Sequence, residues 1–261
     1  MGNDGLQVPL LDPEDHQTAA EILHRDGFVC IGEALTPDQL IFAQAGAKRV
    51  IQEQAEAHAL EVMNRGYARH SFGSQIHHPE WAMLVDLPTI LPTLETFWKS
   101  TDFTCMGAGG DYSHPGAKIQ QLHSDMGEFI HDPQGLVTFH DLPAPFIVVN
   151  FLMVNFTQEN GAIRFIPCTQ RARTPVPSLE TEPEWMKNSI LCAPAGTAVI
   201  RDVRCWHGGT ANNSNQIRPM TSVGYYAPWR RAVQEPLLPR ALYRTLSPRA
   251  QTLCRLLVKE D

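Results

Sequence analysis

The chain predicts an α+β fold, mainly a β core, in which helices come first and the strands that follow form a sandwich or barrel. Three observations lead there. The first hundred residues carry capped, helix-patterned segments. From about 102 to 230 the pattern becomes β-branched and aromatic runs. The longest of these, Phe146 to Phe156, is followed by the dipeptide Asn160-Gly161. Runs of helices and then of strands belong to α+β domains, and many short strands separated by turns close into sandwiches or barrels.

Asp12-Pro13-Glu14-Asp15 offers an N-cap, a proline for the first helical position and acids for the first turn, so a helix is expected from there to Gly27. Phe28 to Ile31 is a short strand candidate. Thr36-Pro37-Asp38 opens a second helix reaching about Ala59, and Trp81 to Val85 and Leu91 to Trp98 read as shorter helices. The helical part thus covers about 12–100. An Asn-Gly between β-type runs signals a tight hairpin, so Phe146–Phe156 and Ala162–Ile166 are expected to pair across it. Gly196 to Arg201 and Met220 to Ala227 are two more strands. The stretch 237–258 is expected to be helical and peripheral.

A length of 261 residues fits one domain spanning 1–261, long enough to bury a core without a disulfide or structural metal. Net charge is −7, which argues against a nucleic-acid partner because phosphate backbones need a basic surface. The longest apolar stretch is far too short to span a bilayer, so no membrane partner is expected. The N-terminal segment has no basic region leading into an apolar run, and a cytoplasmic location follows as the expectation. The partner expected is a small-molecule substrate, with a homodimer left open. Six scattered cysteines without a CxxC read as reduced packing thiols.

The chemistry is concentrated in two stretches. His123-Ser124-Asp125 follows the strand-like Ala117 to Leu122, and residues two apart on extended backbone share a face. His207-Gly208-Gly209 follows the strand 196–201, and Arg218 lies eleven residues beyond His207. Two imidazoles and one carboxylate leave one face of an iron open for co-substrate and oxygen. A guanidinium suits a carboxylate through two parallel charge-assisted bonds. Arg201 and Arg204 compete with Arg218 for that role. A second HxD, His24-Arg25-Asp26, closes a predicted helix, where residues two apart diverge, and reads as surface decoration. His77-His78 and the Cys205/His207 pair suit zinc, but nothing completes a tetrahedral set.

Three segments resemble the phytanoyl-CoA dioxygenase family: Gln120-x-x-His123-x-Asp125, Asn160-Gly161-Ala162-x-x-Phe165-Ile166-Pro167, and His207-Gly-Gly-x-Ala-Asn212-x-Ser214-x-x-x-Arg218. The resemblance implies a double-stranded β-helix (jelly-roll, cupin-like) core at about 102–230, buttressed by the N-terminal helices. It implies Fe(II) on His123, Asp125 and His207, 2-oxoglutarate on that iron with its far carboxylate on Arg218, and O2 as oxidant. Gln120 matches a position that commonly contacts the co-substrate, and Arg69 falls where many members supply another basic contact. Gly209 and Met220 depart from the pattern, since neither offers the hydroxyl that relatives often turn toward that carboxylate. Asp125 argues against halogenation, because iron halogenases of this fold carry a small residue there.

The implied activity is oxidation of an unactivated C–H bond of a small, mostly apolar metabolite in secondary-metabolite biosynthesis, with succinate and carbon dioxide as co-products. Two long segments, Tyr67 to Gln75 and Met126 to Pro145, are lid candidates, since long ordered loops tend to be functional. They make Phe72, Phe129, Phe139 and His140 the expected substrate contacts. Two other readings stay open: a jelly-roll binding protein without turnover, and a cupin-like metal enzyme that uses no 2-oxo acid.

Overall fold

The structure, a computed structural model, describes residues 5–260. Its main sheet has seven strands in the order β1 (Leu10–Leu11), β2 (Phe28–Ile31), β7 (Ala198–Asp202), β5 (Phe146–Leu152), β9 (Arg218–Tyr226), β4 (Thr104–Ser113) and β3 (Arg69–Ser71). All neighbours are antiparallel except β1 and β2. Facing it is a smaller sheet of β6 (Ile163–Phe165) and β8 (His207–Gly209). The expected sandwich-like β core is present.

The two-residue period of the strands sorts their side chains between two packing layers. Val29, Ile31, Ile147, Val149, Ala198, Ile200 and Val223 join one core cluster with the helices, whereas Phe28, Cys30, Leu152, Val199 and Met220 join another with Phe156, Ile163 and Phe165 of the opposite layer. The helices on the outer face are α1 (His16–Asp26), α2 (Pro37–Ala57), α3 (Pro79–Ala82) and α4 (Leu91–Trp98). Thr36, at the predicted start of this helix, caps α2 in a reciprocal capping box with Gln39. Gly27 ends α1 at φ 85°, a left-handed position that glycine takes at no steric cost.

Three expectations need correction. Asp12 does not cap α1: its Oδ1 accepts the Glu14 N–H in a tight turn, and the helix starts at His16. Asn160-Gly161 does not join a hairpin. Strand β5 already pairs with β7 on one side and β9 on the other, so β6 has no free edge there and crosses to pair with β8. The turn is closed instead by Asn160, whose side chain accepts from Thr157 N–H and donates to the Asn155 carbonyl. Finally, the C-terminal stretch forms two short helices, α6 (Arg240–Tyr243) and α7 (Pro248–Cys254), after the four-residue α5 (Glu184–Lys187). The stretch is not peripheral, because Leu238, Leu257 and, in α7, Ala250, Leu253 and Cys254 are buried in the main cluster.

Candidate active site

Positions 120–125 do not form a regular strand, yet they run extended along β8 and continue the small sheet. The His123 and His207 backbones exchange both hydrogen bonds, at 2.9 and 3.0 Å, Gln120 N–H donates to Gly209 O at 2.9 Å, and Asp125 N–H donates to Val203 O at 3.0 Å. This ladder brings the two sequence stretches, some eighty residues apart, side by side. His123 and His207 are directly opposed, with ring centroids 4.4 Å apart.

Each ring is also oriented by its own chain. His123 Nδ1 lies 3.1 Å from the Gln121 carbonyl, and His207 Nδ1 lies 3.0 Å from the Cys205 carbonyl. A carbonyl can only accept, so Nδ1 carries a proton in both rings, and a neutral ring then keeps its lone pair on Nε2. Those Nε2 atoms face the Asp125 carboxylate, His123 at 3.8 Å from Oδ1 and His207 at 3.6 Å from Oδ2. Among the described residues this is the one group of three His, Cys, Asp or Glu side chains whose ligand atoms converge, all within 4.8 Å.

Electrostatics keep His207 and Asp125 in ligand form. Burial, and then the Arg201 charge, push the His207 imidazole down to about 3, so it is neutral near pH 7. Burial alone would raise the Asp125 carboxyl, but Arg201 and then His207 outweigh it and hold it well below the usual carboxylate range. Metals bind neutral imidazole and ionised carboxylate, so no proton has to leave first. Side-chain exposure falls from 42% at His123 to 30% at Asp125 and 9% at His207, which sets the open side of the group at His123.

The group borders a cavity of about 380 Å³ whose wall includes Arg65, Arg69, Asp111, Gln120, Arg201 and Arg218. Arg218 is fully buried at the start of β9, donates Nη1 to Asp111 Oδ1 at 3.2 Å and stacks 4.9 Å over Phe156. Its Nε and Nη2 have no partner. Buried donors left unpaired are costly, so such a pair is a seat for an anion. Of the competing arginines, Arg204 is tied to Asp202 at 2.6 Å and to the Phe139 and Leu142 carbonyls, and Arg201 is tied to Asp125 at 2.7 Å.

Arg69 reaches the same wall and explains a departure noted in the sequence. A Cβ at Gly209 would stand 2.4 Å from Arg69 Nη1, so the guanidinium occupies the space that a side chain at 209 would take. It donates to the Thr210 carbonyl at 2.8 Å, and burial followed by the Arg218 charge pushes its pKa down to about 10. Gln120 Oε1 accepts the Gly209 N–H at 3.0 Å, which leaves its amide on the cavity wall.

The expected substrate contacts stand elsewhere. Phe72 is a core residue packed on Trp81 and Tyr112, because its strand-end position turns it toward the helices. Phe129 stacks under Arg230, while Phe139 is buried and holds His140 against its ring. None of the four lines the cavity. The segment 126–145 is folded on itself by Asp132, which accepts from the Gln134, Leu136 and Val137 N–H groups, and by Glu128, which accepts from Phe139 N–H, and Arg204 holds it at the Phe139 and Leu142 carbonyls. The apolar wall is built instead by Met106, Phe146, Val148 and Met220, with Ser222 beside them. Sequence reasoning missed Asp111 and Asn150 as parts of the site, and it weighed Arg201 only as a co-substrate ligand.

The phytanoyl-CoA dioxygenase (PhyH) family matches residues 23–220, three quarters of the chain, a span that contains His123, Asp125, His207 and Arg218. The chain belongs to that family. Solved structures share its fold at low identity. The non-heme α-ketoglutarate-dependent epimerase SnoN from nogalamycin biosynthesis superposes with a TM-score of 0.61 at 18% identity, covering 82% of each chain. The α-ketoglutarate-dependent carbocyclase SnoK from the same biosynthesis gives 0.61 at 17%, covering 84% of this chain and 90% of its own. HygX from Streptomyces hygroscopicus, solved with nickel, 2-oxoglutarate and hygromycin B, gives 0.57 at 15%, covering 84% and 92%. Among the described residues no helix is long and apolar enough to cross a membrane.

Proposed function

We propose that this member of the family is an Fe(II)- and 2-oxoglutarate-dependent oxygenase acting on a C–H bond of a small metabolite. The observation that carries the reading is the convergence of two imidazole Nε2 atoms and one carboxylate on a cavity that also contains an underbonded, buried arginine. The donor set suits a first-row divalent metal of the iron type and leaves positions open. Bound there with 2-oxoglutarate and oxygen, iron supplies the oxidising chemistry.

The chain's own residues do the rest. His123, Asp125 and His207 hold the metal. Arg218 receives the distal carboxylate of the 2-oxo acid on Nε and Nη2, and Arg69, in the space left by Gly209, adds a second positive charge. Four guanidiniums against two carboxylates (Asp111 and Asp125) give the wall a positive surplus, which suits a dianionic co-substrate. Asp111 limits that surplus and fixes the Arg218 fork. The Gln120 amide, anchored on Gly209, orients the co-substrate between metal and arginines. Met106, Phe146 and Val148 exclude water from the substrate side and aim an apolar part of the substrate at the metal. The structural relatives from nogalamycin biosynthesis support a secondary metabolite as substrate.

The test is anaerobic addition of Fe(II) and 2-oxoglutarate to the purified protein. A weak visible charge-transfer band, with succinate formed once oxygen is admitted, is the expected result. Folded, iron-loaded protein without that band would overturn the reading.

A further inference from the structure

Arg201 stands where an apolar residue would be expected. It lies on the face of β7 that also carries Val199, in the layer filled by Leu152, Phe156 and Met220. Its side chain is 8% exposed and is held at two of its three nitrogens. Nη2 donates to Asp125 Oδ2 at 2.7 Å, and Nε donates to Asn150 Oδ1 at 3.0 Å. Asn150 is itself fixed in the centre of the sheet, opposite Val199 on one side and Ser222 on the other. The Asp125 backbone is pinned to Val203, two residues beyond Arg201. The carboxylate, its guanidinium and the amide that aims the guanidinium therefore move as one unit.

We propose that Arg201 is a positioning residue for Asp125, holding Oδ2 so that the carboxylate offers Oδ1 alone to the metal. The proposal rests on the reading of His123, Asp125 and His207 as the metal ligands. A carboxylate has two oxygens and can bind a divalent ion through one or through both. Here one is taken by a charge-assisted bond, which is among the stronger contacts a carboxylate makes. Two consequences follow. The metal keeps one more open position, which the 2-oxo acid needs because it binds through two atoms. The positive charge beside the ligand also weakens the hold on a cation, since like charges at this range repel appreciably even when solvent screens them. Arg201 thus gives up metal affinity in return for co-substrate binding.

The experiment compares wild type with Arg201→Met and Arg201→Lys in two anaerobic titrations: Mn(II) alone, read by calorimetry, and 2-oxoglutarate into the Fe(II) protein, read by the visible band. Arg201→Met removes both charge and bond, so it is expected to bind Mn(II) roughly tenfold tighter and 2-oxoglutarate roughly tenfold weaker, the lower end of outer-sphere effects on metal sites. Arg201→Lys keeps the charge but not the fork, so Mn(II) affinity is expected to stay near wild type while 2-oxoglutarate binding weakens. A purely structural arginine would give the opposite sign for the metal: weaker Mn(II) binding in Arg201→Met overturns the proposal, and so does a 2-oxoglutarate affinity unchanged in both variants. Should Arg201→Met fail to fold, Asn150→Ala loosens the same fork with the charge kept, so, like Arg201→Lys, it is expected to leave Mn(II) affinity near wild type and to weaken 2-oxoglutarate binding, by less. Wild type that bound Mn(II) and gave the band, with variants indistinguishable from it, would sink this inference and spare the oxygenase reading. Wild type that did neither would sink both.

Discussion

His24-Arg25-Asp26 and His123-Ser124-Asp125 are the same tripeptide pattern on two different backbones. The first ends α1, where residues two apart point away from each other. Its His24 ring lies 4.0 Å from Phe97 and donates to that residue's carbonyl, while Asp26 pairs with its neighbour Arg25. The second is extended and clamped to β8, so both side chains face the partner histidine. Backbone conformation, not composition, separates a helix end from a ligand pair. A third residue from a distant strand then turns the pair into a site.

The widest separation between the two is expected on removing a ligand. His207→Ala should lose stoichiometric metal and all succinate formation, a drop beyond the roughly 10- to 100-fold that outer-sphere changes cause. His24→Ala should keep both, and metal loss in His24→Ala with retention in His207→Ala would reverse the comparison. Next is Arg218→Gln. Losing charged hydrogen bonds of about 2–3 kcal/mol should raise the 2-oxoglutarate requirement by roughly 30- to 150-fold with metal stoichiometry intact. An unchanged KM for 2-oxoglutarate would show that the anion seat lies elsewhere. Gly209→Ala tests the neighbour: its Cβ displaces the tip of Arg69, and the requirement should rise about fivefold, as steady-state kinetics would show. The smallest effect is on stability. Losing the His24 stack on Phe97 should cost about 1 kcal/mol and lower Tm by about 2–4 °C, while metal binding stays at the wild-type level.

Much of the metal group was legible because its logic is local. His123 and Asp125 share a face whenever the chain there is extended, and the glycines after His207 announce a close backbone approach. Arg218 was legible by spacing and resemblance together. Arg201 was harder: its alternation with Val199 places it inward, but only the register of β5 against β7 shows that Asn150 and Asp125 meet it. The aromatic contacts failed because a loop's length says nothing about which way it folds. Asp132 and Glu128 pull 126–145 together with side-chain caps, and Arg204 ties it down at two carbonyls. The Asn160-Gly161 turn failed for a related reason, since a dipeptide signals a turn without saying which strand edges remain free.

The amino-acid sequence by itself determined the α-then-β order, the start of α2 at Thr36-Pro37-Asp38, the end of α1 at Gly27, and the residue types that can bind iron and a dicarboxylate. These depend on contacts within a few residues, where backbone preference and side-chain chemistry decide. Tertiary structure alone decided that β6 crosses to β8, that α7 is core, that Arg69 fills the space left by Gly209, and that Arg201 pairs with Asp125. Each of those turns on which distant edges are already paired and which buried charges must find one another, and such demands are met only when the whole sheet is assembled.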